Sequence, residues 1–463
     1  MIVPSQLAGG VVTQRVKSKG VSRQATRLVL AALAFASLGE IARAELLPGD
    51  IAPECSFEST EVSGWFEGGT IRPNGFVNPA DSVNFEPDFR APPNHRQCNF
   101  YKWSAQMFLW LMSPVERGRV FQNPDFYTVT PLVDGKRNLV KNDPDKVERL
   151  ALRSAKLIER GGSVLMAQNK SLVYTISIVN DVYAFYRTGV WNRRFDGSRF
   201  PILMNDLTDV IDYAAENGTT ISNRKSFVIE LKTTWVQTAG LEQAGLDPNK
   251  YIKTTVPIPT YDMTHPRKWL STQQFEMKEL ALVGIHLVGS LKGHSDMVWA
   301  SFEHTDNAPV APFNYMSTSG LKTADGNPGP WLLSARNSTG PFNIARMHVT
   351  EEQNIESDGD QDIGPSDTRR EHAWGSADNN PVHNARVIAI NKGTLQKLPD
   401  GDVRKHYLLI GATWSSGVGS NLLANTTLET YEQNRACFHC HRGELPGGML
   451  SRIYLSIQPL LTR

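Results

Sequence analysis

The sequence predicts an α+β fold. It comprises a β-rich body, a sandwich- or barrel-like sheet with helical insertions, and a short helical segment near the C-terminus. Three observations carry that prediction. Several strand-length runs rich in Val, Ile, Leu, Thr and Trp crowd the second half of the chain. Only two stretches of the body are patterned as helices of any length. No repeat of about 20–50 residues recurs, which argues against a propeller, and no G-x-G-x-x-G follows a strand, which argues against a dinucleotide fold.

In chain order, residues 1–44 come first. Six basic side chains (Arg15, Lys17, Lys19, Arg23, Arg27 and Arg43) outweigh one acid, Glu40. The apolar run Leu28–Leu38 then leads to Ala42-Arg43-Ala44. A basic flank, a short apolar core and small residues at a cleavage position are the parts of a signal peptide, cut near Ala44. The run is shorter than the ~20 residues a membrane span needs. No arginine pair precedes it, so the general secretory route is expected. No later run is long and apolar enough for a transmembrane segment, so a soluble, periplasmic protein is expected. The formal charge of +1 comes from this leader, because the rest of the chain carries four more acids than bases. That balance excludes the basic footprint of a nucleic-acid binder.

Export changes how the four cysteines read. Thiols oxidise outside the cytoplasm, so Cys55 and Cys98 are expected to form a disulfide across a proline-rich stretch; two buried thiols are the alternative.

Residues 45–416 form the expected body. Trp103–Pro114 ("WSAQMFLWLMSP") is apolar nearly all round, a buried helix ending before its proline. A second helix is expected over Asp143–Arg160, with Asp143 as cap, Pro144 in the first turn and Gly161-Gly162 as the stop. Strands are expected at Ser226–Val236, Glu279–Leu291, Met297–His304, Ala385–Lys392 ("ARVIAINK") and His406–Trp414. In the second of these, Ala281, Val283, Ile285 and Leu287 face one way and Leu282, His286 and Val288 the other, so both faces are buried. "KGHSD" joins it to the third as a hairpin. On that third strand Trp299 and Glu303 share one face, while Ala300, Phe302 and His304 share the other.

The hairpin holds His286, His294, Glu303 and His304 close together, a candidate second metal or distal site. Glu230, Lys232 and Trp235 on a neighbouring strand would extend it, with an ordinary solvated edge as the equal alternative. The plainer alternative is a core histidine at His286 and an exposed turn residue at His294. Residues 351–371 are acidic, and Asp358, Asp360 and Asp362 alternate as in calcium loops. Glycine falls one place late, however, and Arg369 takes the twelfth position, so a surface loop is expected.

Residues 417–463 carry "CFHCH", Cys437 to His441. A structural zinc site needs four ligands, and Cys437, Cys440 and one of His439 or His441 supply three. A thioredoxin-like dithiol belongs early in a βαβ unit, with more chain after it. One covalent haem c accounts for every position. Cys437 and Cys440 would form the thioethers, and His441 would be the proximal iron ligand. Thr426 and Glu429 have capping-box spacing, which predicts a short helix delivering the chain to Cys437. Met449 is the candidate sixth ligand, with simple packing as its alternative, and His439 lies within the turn, unable to reach the distal side.

The chain resembles a family of exported bacterial single-haem cytochrome c-like proteins, most without an assigned activity. The stretches that carry the resemblance are "FYKWSAQMFLWLMSP", "IELKTTWV", "ALVGIHLVGSLKGHSDMVWASFEHTDNAP" and "NTTLETYEQNRACFHCH". It implies a periplasmic protein with covalent haem bound through Cys437, Cys440 and His441, and it names no catalytic residue. The leading expectation is electron transfer to or from a redox partner protein. A haem- or metal-dependent oxidoreductase using the hairpin is the alternative, followed by a haem redox sensor or ligand-binding module.

Overall fold

The computed structural model describes residues 46–86, 97–143, 162–325, 329–414, 418–441 and 451–460. The expected leader, nearly all of the helix expected at Asp143–Arg160, and Met449 lie outside them. Glu45–Arg463 forms one compact unit, so the C-terminal residues are described together with the body.

Among the described residues the helices are α1 (Glu61–Trp65), α2 (Cys98–Leu111), α3 (Asp181–Trp191), α4 (Met204–Glu216), α5 (Pro381–Leu395) and α6 (Cys437–Cys440). The strands are β1 (Phe126–Val129), β2 (Leu139–Lys141), β3 (Tyr174–Asn180), β4 (Ile229–Gln237), β5 (Lys253–His265), β6 (Lys268–Leu291) and β7 (His294–His304). They continue with β8 (Phe313–Ser317), β9 (Gly320–Ala324), β10 (Met347–Val349), β11 (Ile355–Ser357), β12 (Tyr407–Trp414) and β13 (Val418–Gly419). Eleven of them join one antiparallel sheet whose main path runs β13-β12-β7-β6-β4-β3-β1-β2, and β8 and β9 form a separate hairpin. The body is therefore α+β and β-rich, organised around one large sheet. No helix among the described residues is long and apolar enough to cross a membrane.

α2 begins at Cys98, held to Cys55 by a disulfide with a Cα–Cα distance of 5.2 Å. It ends before Pro114 and is buried on nearly every side. One sheet face covers it: Phe108 stacks on Phe302 at 4.4 Å and Phe100 on Trp414 at 4.1 Å. Ile229, Leu231, Ile285, Leu287 and Ala300 join this main core. The opposite face, through Val179, Val288 and Trp299, packs with α3, α4 and the C-terminal residues Phe438, Tyr454 and Ile457 in a second core. The central strands are thus buried on both faces, which explains their near-continuous apolar character.

Two expectations are corrected here. Ala385–Lys392 lies inside α5, where Asn380 accepts hydrogen bonds from the Val382 and His383 N–H groups and Pro381 occupies the first turn. That cap nucleates a helix whose apolar residues, read alone, are strand-like. The simple alternation of β6 also fails. A bulge against Thr234 and Trp235 shifts its phase, so Leu282 and Ile285 share the main core while Ala281 and Val283 enter a third cluster. The β6–β7 hairpin forms around Lys292-Gly293 as expected.

Candidate functional site

Sheet register builds the floor of the site. Ser177 pairs with Lys232, Lys232 with His286, and His286 with Ser301, so four strands place these residues in one cross-strand row. The adjacent row runs Val179, Glu230, Val288, Trp299. Directly paired strand residues project to the same face. This face, opposite α2, floors a cavity of about 340 Å³ lined by Lys232, His286, Glu230, Trp299, Cys437, Cys440 and His441.

The C-terminal segment forms the opposite wall because buried polar contacts anchor it to the sheet. The Asn425 side-chain amide donates to the Phe302 carbonyl at 2.9 Å, and the Thr426 N–H donates to Glu303 Oε1 at 2.9 Å. Thr427 Oγ1 meets Thr234 Oγ1 at 2.5 Å. Gly284 makes this approach possible, since a Cβ there would lie 2.1 Å from Thr427 Oγ1 and 2.6 Å from Thr234 Oγ1. The chain then makes a short 3₁₀ turn at Thr430–Glu432 and enters α6, where the Cys437 N–H donates to the Asn421 carbonyl at 3.0 Å.

The expected capping box does not form. Thr426 Oγ1 donates to Glu303, and Glu429 turns into the cavity. Tertiary partners thus claim both side chains that would have capped a local helix.

In α6 Phe438 is buried while His439 is exposed, as expected of a residue unable to reach the cavity. Just beyond α6, His441 packs its ring 4.4 Å from that of Trp299. Across the site His286 Nε2 stands 3.5 Å from Glu429 Oε2, and Lys232 Nζ lies 3.7 Å from Glu429 Oε1. Burial alone would raise the Glu429 carboxyl, but His286, Lys232 and His441 outweigh it and hold this group well below the ordinary carboxylate range. Burial, reinforced by Glu429, pushes the Cys437 thiol up to about 12. Glu230 is raised to about 7 by burial, against the pull of a 2.5 Å hydrogen bond from Ser451 Oγ and the charges of Lys232 and Arg137. Ser451 in turn meets the Tyr183 hydroxyl at 2.9 Å.

The four candidate hairpin residues do not converge. His294 packs edge-on against Phe100 at 5.1 Å. Glu303 is fully buried, paired with Arg370 at 2.8 Å and bonded to Thr426. His304 points to the other face, as its strand position requires, where it stacks on Tyr251 at 3.8 Å and meets the Lys250 carbonyl. Only His286 faces the cavity, joined from β4 by Glu230 and Lys232, while Trp235 is buried in the main core. Among the described residues, no three His, Cys, Asp or Glu side chains form a group able to hold a metal ion. The strand patterning could not identify Glu429, Arg137, Arg435 and Arg452 as cavity residues, because they come from loops and turns.

No family model, no curated protein and no solved structure matches this chain.

Proposed function

We propose that this chain is an exported, periplasmic c-type cytochrome carrying one covalent haem c, and that it exchanges single electrons with a partner oxidoreductase. One observation carries the reading: Cys437, Cys440 and His441 all line the same cavity on the sheet. The other lining residues suit the group. Val129, Ile176, Val288, Leu423 and Ile453 offer apolar walls for a porphyrin, and Arg137, Lys232, Arg435 and Arg452 offer cations for its two carboxylates.

When bound, haem c supplies a one-electron iron couple whose potential is set by its axial ligands and its burial. The chain's own residues prepare the place for it. α6 presents Cys437 and Cys440 one turn apart, and the Arg452 guanidinium donates to the Cys440 carbonyl, tying the last described segment to the motif. Trp299 supports one side of the His441 ring, limiting the orientations open to it. The sheet and the second core wall one side of the site, and burial on that side is one of the levers on the potential of such a group.

A closed zinc site would need a fourth ligand beside Cys437, Cys440 and one of the two histidines of the motif. Expression in a host with a secretory route and a cytochrome c maturation system tests the proposal. A pyridine haemochrome spectrum that keeps its covalent-type band after acid–acetone extraction would support it. Haem that extracts, or none at all, would end it.

A further inference from the structure

Which group stands opposite His441 decides whether such a haem is closed or open to small molecules. His286 sits in β6, paired with Lys232 of β4 on one side and Ser301 of β7 on the other. Its Nε2 is buried and makes no hydrogen bond, at 3.5 Å from the Glu429 carboxylate. A buried imidazole nitrogen without a hydrogen bond is destabilising unless it serves a ligand. The site spends that cost beside the three residues of the haem motif.

Among the other donors near the cavity, Lys232 and Glu429 are one-third exposed and lie 3.7 Å apart, and Glu429 is the group that His286 itself faces at 3.5 Å. Glu230 accepts a hydrogen bond from Ser451 and lies in the next cross-strand row. His439 is exposed. An imidazole is moreover a common axial ligand of iron; Glu429 faces this same Nε2, so the carboxylate would have to give way to the metal.

We propose that His286 is the second axial ligand, so that a haem held at Cys437 and Cys440 is coordinated by His441 and His286. The proposal rests on the covalent-haem reading above and deepens it. A centre with two imidazoles is six-coordinate and low-spin. It leaves no position for peroxide or dioxygen, and it suits electron transfer at a potential below that of a His/Met centre.

The test uses the full exported holoprotein. Near-infrared magnetic circular dichroism and electron paramagnetic resonance of the ferric wild type separate an imidazole pair from imidazole with thioether or amine, and from a five-coordinate iron. Expected is the imidazole-pair signature. His286→Ala should lose it and turn high-spin, added imidazole should restore it, and His286→Met should acquire a His/Met signature. His294→Ala, altering a residue packed on Phe100, should leave the spectrum unchanged.

A wild-type spectrum of any other ligand pair, or a His286→Ala spectrum that stays low-spin and unchanged, would overturn the assignment. The wild-type spectrum decides even if a variant fails to fold. Covalent haem with the wrong ligand pair rejects His286 alone. Haem that extracts with acid–acetone rejects the Cys437 and Cys440 reading and the assignment built on it.

Discussion

Glu303 and His286 show how alike two residues can look in sequence and how differently they are used. Both are polar and lie on the same face of one hairpin. Glu303 is fully buried against Arg370 and carries Thr426, a structural role. Glu303→Ala would strand a buried guanidinium, so urea titration should show a loss of about 3–5 kcal/mol. Asp181, the first residue of α3, makes a second residue-level prediction. Burial, reinforced by Asp125, raises its carboxyl to about 7 from the ordinary 3.8. The unfolded chain ionises this group first as pH rises, so its contribution to stability declines from about pH 4 and is lowest above about pH 7. Asp181→Asn should therefore stabilise the protein at pH 8 by on the order of 1 kcal/mol, with little gain at pH 4. Thermal unfolding at the two pH values checks the sign. The histidines and the CFHCH motif were legible in the sequence as residue types. Which of them meet was not, because strand alternation says which face a side chain takes and nothing about what packs there.

At the scale of elements, the closest fit is between β6 and the segment leading to α6. Gly284 lets Thr427 and Asn425 press onto the sheet, leaving no room for a methyl group. Gly284→Ala should cost about 1–3 kcal/mol by thermal or chemical denaturation and should also loosen the wall that carries Cys437. If the melting temperature is unchanged, this packing is softer than described. The Cys55–Cys98 link ties α2 to the N-terminal stretch across a separation of 43 residues. The Cys55→Ser, Cys98→Ser double variant should lose up to about 4 kcal/mol on loop-closure grounds, measured against the oxidised wild type. α2 was legible because an all-round apolar run of helical length has few other homes. α5 was not, since "ARVIAINK" is strand-like until Asn380 and Pro381 are counted as a helix start. The bulge in β6 was equally hidden, because it exists only against a partner strand.

For the molecule as a whole, the C-terminal residues do not form an appendage. Phe438, Tyr454 and Ile457 belong to the second core along with Val182, Tyr183 and Phe200 of the α3 region. A chain cut after residue 416 would expose that core and leave Glu303 and Arg370 without Thr426. It should fail to give a cooperative thermal transition, and a sharp transition near that of the full chain would show a self-sufficient body. Two cores on the two faces of one sheet also account for the length of the chain.

By itself the sequence determined the chemistry on offer and the secondary-structure class. The CxxCH spacing, the β-rich body, the disulfide pair and the buried helix all follow from local residue types and short-range periodicity. Only the tertiary structure decided that His286 and Lys232 face Glu429, Cys437, Cys440 and His441 across one cavity. Strand register and buried polar anchors bring those residues together over some 200 positions of chain, from Lys232 to His441. Such long-range pairing depends on the summed packing of both sheet faces, which no local stretch encodes.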